Sequence, residues 1–477
     1  MSGYEAVIGL EVHAQLLTGS KIFCGCTTAF GLSPNTNTCP VCLGLPGTLP
    51  VLNREAVEFG IRLGLALNCT IESRNVFARK NYFYPDLPKG YQITQFESPL
   101  CTRGHLDIES GGAPKRIGIR RIHMEEDAGK NIHDESRGRS YIDFNRAGVP
   151  LLEIVSEPDM STSGEAVAYL RELRLILVHL GISDGNMEQG SFRCDANISV
   201  RPAGAAGFGT RTELKNMNSF RNVQRALDHE IQRQSAIIDS GSSVVQETLS
   251  WNAILGATRP MRSKEESHDY RYFPDPDLVP VVIDEAWTAT VRKNLPELPS
   301  ARRRRFMDLY GLPTYDAEQL TQEPALADYY EQCVSLLDAP KDISNWVMSE
   351  LTRVMHETGV DVRGLKITPA MLTDLISLVK AGTVSGLAAK DVITEMAATG
   401  RNASSIVEEL GMAQVSDETE LKALILGIIE ANPGQVAKYR EGKTQLLGFF
   451  VGEAMKASKG RANPKVAGTI IRELLNP

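Results

Sequence analysis

Polar and apolar positions alternate from the start of the chain. In Gly9-Leu-Glu-Val-His-Ala-Gln15 the side chains of an extended strand point to opposite faces in turn. Glu11, His13 and Gln15 therefore project together, and Leu10, Val12 and Ala14 project the other way. Strand patterns run over Ala6–Leu16, Arg116–Met124, Ser140–Phe144 and Asn197–Arg201. Apolar residues at helical spacing predict three helices. These are Glu55–Leu67, Gly164–Leu180 (Val167, Leu170, Leu173, Ile176, Leu177, Leu180) and Asn222–Ile238. Residues 1 to about 290 thus read as one large α+β unit.

The pattern changes at Asn294-Leu-Pro-Glu-Leu-Pro-Ser300, which reads as a boundary. Beyond it the strand patterns stop and short amphipathic helices follow one another. Thr368-Pro, Asn463-Pro and Ser416-Asp-Glu-Thr are cap-like helix starts, the last leading into Leu421–Ile429. The run Arg302–Arg305 is read first as a solvated helix face and second as an RNA contact.

Length and charge narrow the picture. A chain of 477 residues suggests about three domains. The net charge of −8 excludes a globally basic molecule. Residues 431–477 nevertheless hold eight basic and three acidic residues, a local excess that suits a polyanion or an ordinary lysine-rich bundle. No run of 18 apolar residues and no secretory leader is evident, so neither a membrane span nor export is expected. Eight cysteines without a leader point to the reducing cytosol.

Four of those cysteines, Cys24, Cys26, Cys39 and Cys42, are spaced C-x-C, twelve residues, C-x2-C. That spacing predicts a closed structural Zn²⁺ site, with redox or packing roles as the alternative. Arg121-Ile-His-Met-Glu125-Glu126-Asp127 ends a strand in three carboxylates, a pattern that suits Mg²⁺. Alternation places Glu125 with His123 and Glu126 with Met124; a bend at Glu125 would let either acid enter a cleft. Arg193, Asp195, Asn197 and Ser199 share one strand face, as do Arg211, Glu213 and Lys215. A loop from Arg259 through Arg262, Lys264 and Glu266 carries both charge signs. Tyr82-Phe-Tyr-Pro-Asp86 echoes Tyr270-Arg-Tyr-Phe-Pro-Asp275; the pair reads as packing corners or as a stacking wall for a base. No P-loop, G-x-S-x-G elbow or H-E-x-x-H motif occurs. Carboxylates, Lys80, arginines and a histidine suit phosphoryl transfer by metal and positioning.

The segments Ile8-Gly-Leu-Glu-Val-His13, Arg79-Lys-Asn-Tyr-Phe-Tyr-Pro-Asp86, His123-Met-Glu-Glu-Asp-Ala-Gly-Lys130, Arg193-Cys-Asp-Ala-Asn-Ile-Ser199, Glu213-Leu-Lys-Asn216 and Asp269-Tyr-Arg-Tyr-Phe-Pro274 resemble the B-subunit family of the tRNA-dependent amidotransferases. The tail from Gly448-Phe-Phe-Val-Gly452 to Gly460-Arg-Ala-Asn-Pro464 resembles the C-terminal domain of that family, known alone as YqeY. The resemblance implies a cradle-shaped mixed-sheet body with a zinc knuckle (1–293), a helical domain (294–405) and a tRNA-contacting tail (406–477). It implies a heterotrimer with an amidase, the A subunit, and a small C subunit. Its substrate would be misacylated Glu-tRNA(Gln) or Asp-tRNA(Asn), amidated with ATP, Mg²⁺ and tunnelled ammonia. Within it Glu11, His13 and Glu126 are expected to hold Mg²⁺, with Glu125 and Asp195 next. Lys80, Arg193, Lys215 and Arg262 are expected at the nucleotide, and Lys456, Lys459 and Arg461 at tRNA. The competing class is a non-catalytic zinc-bearing RNA-binding scaffold. A ligase acting on a free amino acid is a weaker alternative, because it needs no basic tail.

Overall fold

The computed structural model describes residues 3–134, 136–261, 270–412, 418–458, 462 and 464–475. The chain divides into two compact units, Met1–Pro299 and Ser300–Pro477.

The first unit is built on a 12-stranded mixed sheet. Its central strands are β1 (Tyr4–Gln15), β2 (Phe77–Asn81), β3 (Tyr91–Gln95), β4 (Ala113–Glu126), β5 (Pro150–Ser156), β6 (Phe192–Pro202) and β7 (Thr212–Lys215). They lie in the order β7-β6-β1-β5-β4-β3-β2. Thr248–Asn252 extends the β7 edge in parallel, Phe273–Pro274 extends the β2 edge, and Cys101–Ser110 pairs with β4. The predicted strand near Ser140–Phe144 forms Arg139–Asp143 and pairs with Lys130–Asp134 in a separate hairpin.

Alternation makes the sheet two-faced. Leu10, Val12 and Ala14 of β1, Ile122 and Met124 of β4, Leu152 and Ile154 of β5, and Cys194, Ala196 and Ile198 of β6 are buried in one core. Helices α1 (Arg54–Ala66), α2 (Ser163–His179) and α3 (Phe220–Asp239) cover that face, contributing Ile61, Leu170 and Leu227 among others. Each begins at a side-chain cap: Asn53 accepts from Glu55 N, Thr162 from Glu165 N and Ser219 from Asn222 N. Such caps contribute about 1 kcal/mol each. Helix α1 approaches the sheet closely because Gly64 has no side chain; a Cβ there would fall 2.5 Å from Cys101 Sγ.

In the second unit every assigned element of the described residues is helical. One core runs from Phe306 to Val407 and another from Leu421 to Leu475. Thr368 caps Pro369–Lys380 by accepting from Met371 N; the other two predicted starts, Ser416 and Asn463, lie outside the described residues. The arginine run departs from both of its readings. It lies in the helix Pro299–Tyr310, where Arg302 is only 9% exposed and pairs with Asp328 and Glu331, and Arg305 also pairs with Glu331. Acidic partners on the helix Pro324–Leu336 draw these two guanidinium groups inward.

Candidate active site and cysteine cluster

The sheet face turned away from the helices gathers the charged residues of several strands. Strand register sets the rows. His13 faces Glu153 on β5 and Arg193 on β6, Glu153 faces His123 on β4, and Glu11 faces Asp195 on β6. Side chains on one row share one face, so two imidazoles and three carboxylates converge. His13 Nε2 lies 3.3 Å from Glu153 Oε2, 3.6 Å from Glu125 Oε1 and 3.8 Å from Glu11 Oε1. His123 Nε2 lies 3.2 Å from the same Glu153 oxygen and 3.7 Å from Glu125 Oε2. Glu153 thus sits between the two imidazoles, and Glu125 offers one oxygen to each.

The electrostatics are those of crowded anions sharing protons. Burial alone would push both histidines down, but the surrounding carboxylates outweigh it. His13 is raised by Glu153, Glu125 and Glu11, and His123 rises to about 9 through Glu153 and Glu125. Glu153 is held well below the usual carboxylate range, because the two imidazoles overcome its burial. Glu11 is raised by burial and by repulsion from Glu153 and Asp195. Glu11, His13 and Glu153 form one set whose donor atoms lie within 4.8 Å of one another, and His123, Glu125 and Glu153 form a second. A hard cation fits these carboxylates, and a cation that accepts imidazole fits the full set.

Cationic groups flank the cluster. Lys215 Nζ lies 2.6 Å from Asp195 and 3.0 Å from Glu213. Arg193 donates to Asp127 Oδ1 at 3.1 Å. Asp127, 4% exposed, also accepts from Gln15 at 2.7 Å and pairs with Arg146. Lys80 Nζ lies 4.7 Å from the Tyr270 ring centroid and 5.8 Å from that of Tyr82. Burial opposes its charge, but the phenol oxygens of Tyr272 and Tyr270 and the acids Glu125 and Glu153 favour it, and the net shift is upward.

The two echoing motifs come together around Lys80. Phe273–Pro274 pairs with β2, Arg79 of the first motif binds Asp275 of the second at 2.8 Å, and Asn81 N donates to Tyr270 O. Phe96 stacks on Tyr272 with centroids 4.1 Å apart and planes 2° from parallel. His268, Asp269 and the charged segment Arg262 to Glu266 lie outside the described residues, as do Lys459 and Arg461. Lys456 is exposed in the last turn of Leu447–Ala457.

Glu126 corrects the expected Mg²⁺ set. Strand β4 keeps its alternation to the end, so Glu126 faces away from His13 and His123. It is 3% exposed, accepts from Ile93 N at 2.8 Å and pairs with Lys89. With Lys89 it lines a small cavity beside Phe23, Cys24 and Cys42. Its place in the cluster belongs to Glu153, which sequence reasoning missed. The available signal was a lone carboxylate within Leu151-Leu-Glu-Ile-Val155, an otherwise apolar run.

The cysteine quartet does assemble. All four Sγ atoms lie within 4.8 Å of one another. A tetrahedral shell with Zn–S near 2.3 Å needs sulfurs about 3.8 Å apart, so the set fits zinc with small adjustments. Cys39 N–H donates to Cys42 Sγ at 3.1 Å. The Cys24 thiol, that backbone N–H and Lys21 together lower Cys42 to about 5, against its burial, while Cys24 is raised in exchange. No helix among the described residues is long and apolar enough to cross a membrane.

The chain matches the GatB/GatE catalytic domain over residues 6–289 and the GatB domain over residues 328–475. It is 58% identical over 476 residues to the B subunit of the aspartyl/glutamyl-tRNA(Asn/Gln) amidotransferase of Geotalea uraniireducens (strain Rf4), covering 99% of both chains. It is 55% identical over 472 residues to the protein of the same name from Thermodesulfovibrio yellowstonii, again with 99% of each covered. On this end-to-end likeness, together with a polar sheet face that unites the motifs carrying the resemblance, the chain belongs to the GatB/GatE family.

Proposed function

We propose that this chain is the B subunit of a tRNA-dependent amidotransferase and activates the side-chain carboxylate of misacylated Glu-tRNA(Gln) or Asp-tRNA(Asn). The observation that carries the reading is the cluster of Glu11, His13, Glu125, His123 and Glu153 with Lys80 beside it. In the proposed reaction a carboxylate oxygen attacks the γ-phosphorus of ATP and ADP leaves. Ammonia then attacks the acyl carbon, phosphate leaves, and a proton is lost to give the amide.

Glu11, His13 and Glu153, with Glu125 and His123, would hold Mg²⁺. When bound, that cation supplies neutralisation of the charge spread over the transferring phosphoryl oxygens. Lys80, buried among tyrosines, presents a fixed ammonium to a phosphate or acyl-phosphate oxygen. Lys215 and Asp195 hold each other in place at the other side, and Arg193 is oriented by Asp127. Neither Lys80 nor Lys215 needs to move to meet an anion. Phe96 and Tyr272 offer a flat face for a base.

The partners follow from family membership: an amidase, the A subunit, as the source of ammonia, and a small C subunit. The body 1–293 would carry the chemistry, 294–405 a helical domain, and 406–477 the contact with tRNA through Lys456, Lys459 and Arg461. Cys24, Cys26, Cys39 and Cys42 would bind a structural Zn²⁺, all four positions being filled by protein. The test is formation of Gln-tRNA or Asn-tRNA by the complex reconstituted from this chain with its amidase and small partners, supplied with ATP and glutamine. ATP-dependent product from either misacylated tRNA is expected. ATP-independent turnover, or none with either tRNA, overturns the reading.

A further inference from the structure

Lys21 is a cation in an unusual place. Its side chain is fully buried, at 0% exposure. Its Nζ donates to Asn37 O at 2.8 Å and lies 3.7 Å from Cys42 Sγ. Its own N–H donates to Cys26 O at 2.8 Å, which locks the lysine into the knuckle backbone. Among the described residues no carboxylate pairs with it. Other cations of the body do have such partners: Lys89 has Glu126, Lys215 has Asp195 and Arg79 has Asp275.

A buried ammonium with one carbonyl contact is strongly disfavoured unless a counter-charge lies nearby. Four thiolates around Zn²⁺ carry a net charge of two minus. The nearest sulfur to Lys21 belongs to Cys42, the most buried of the four cysteines. We propose that Lys21 is the internal counter-cation of the zinc tetrathiolate, cancelling one of its two negative charges so that metal site and lysine each make the other's burial tolerable. The inference rests on the zinc reading above. It adds a residue that touches no metal yet sets how tightly the metal is held.

The geometry also tells what removal of the charge does. With zinc bound, Lys21→Met leaves the full dianion in a buried setting and loosens the site. Without zinc the thiols can take up protons, Lys21 loses its counter-charge, and the same substitution relieves a cost. The variant therefore acts with opposite sign on the two forms, which loss of packing alone would not produce.

The experiment uses the full-length chain. Zinc content of the wild type is measured first; absence of stoichiometric zinc overturns the zinc reading itself. With one zinc per chain, release to a chromogenic chelator is timed. Lys21→Met is expected to release zinc at least tenfold faster, and its zinc-free form to melt no lower than zinc-free wild type. Equal release rates, or equal destabilisation of both forms, overturn the assignment of Lys21 alone. A second measurement needs no variant. In the wild type, Lys21 is expected to resist acetylation by acetic anhydride with zinc bound and to react at least tenfold faster after chelation, read by peptide mass spectrometry. Equal protection in both forms overturns the proposal.

Discussion

Two clusters of ligand-type side chains lie in the same unit and are built in opposite ways. The cysteine quartet is local in sequence, spans 19 positions and closes on itself with four like donors. The sheet-face cluster draws Glu11, His13, His123, Glu125 and Glu153 from three strands that are distant in sequence. It mixes imidazole with carboxylate and keeps exchangeable protons. A closed, uniform shell suits a structural ion. A mixed set whose protons a cation can displace, with Lys80 and Lys215 alongside, suits chemistry that must accept and release a charged substrate.

The sharpest way to break this contrast is Glu153→Gln. It removes the carboxylate shared by both imidazoles while keeping shape. Transamidation by the reconstituted complex is expected to fall by about 10³-fold, the scale seen when a key electrostatic group is lost. The thermal midpoint of the folded chain should change little. If Glu153→Gln retained wild-type product formation, the cluster would not be the reactive centre. Cys42→Ser should do the reverse. A structural zinc site contributes several kcal/mol to folding, so the midpoint should fall by roughly 5–10 °C. Turnover per folded molecule should stay within about tenfold of wild type, since the quartet touches none of the cluster residues. A thousandfold loss of turnover in a folded Cys42→Ser protein would erase the distinction between the two sites.

The difference between the clusters also explains what could be read in advance. The cysteines announce themselves because their spacing is a local property. Half of the sheet face was equally legible, since alternation places Glu11 with His13 and Arg193 with Asp195 without any knowledge of pairing. The three long helices were legible from apolar periodicity and their caps. Strands β2, β3 and β5 were not assigned from the sequence. Strand β5, buried on both sides for most of its length, reads Pro-Leu-Leu-Glu-Ile-Val-Ser and shows little period-two signal. Its Glu153 was lost with it. Glu126 was misplaced for a related reason: three consecutive acids suggest a bend, whereas β4 runs straight through Glu125 and Glu126 and separates them to opposite faces. Which face meets Lys89 and which meets His13 depends on neighbours that only the assembled sheet supplies.

A smaller effect separates the clusters by their protons. His123 is raised to about 9 by Glu153 and Glu125 against its burial, and His13 is raised as well. Both imidazoles must be neutral to ligate. Cation binding therefore releases protons, and affinity should rise with pH up to about 9, by as much as tenfold per unit for each proton displaced. The sign for stability is opposite. The cation-free protein has its full benefit from these charged imidazoles below the ordinary histidine value of about 6.5 and loses it as pH rises through about 9. Titration calorimetry in buffers of different ionisation enthalpy reads the released protons directly. Cation binding at the sheet face with no proton release between pH 7 and 9 would show that the imidazoles take no part.

The smallest effect comes from a residue that touches only a ligand's carboxylate. Thr94 is 2% exposed on β3, opposite Glu125 in the register, and its Oγ1 donates to Glu125 Oε2 at 3.2 Å. That bond leaves Oε1 turned toward His13. Thr94→Val keeps the shape and removes the donor. A neutral donor to a carboxylate contributes about 1 kcal/mol, so cation affinity measured by the same calorimetry should weaken by roughly fivefold, with the zinc content unchanged. The cysteine quartet has no equivalent handle on this scale, because the bond that orients Cys42 Sγ comes from the Cys39 main chain and survives any side-chain change. An orienting shell made of side chains can be tuned one group at a time, and this is the property a reactive centre needs and a structural knuckle does not. If Thr94→Val left cation affinity unchanged, Glu125 would be held by the strand alone, and the two clusters would be equally rigid.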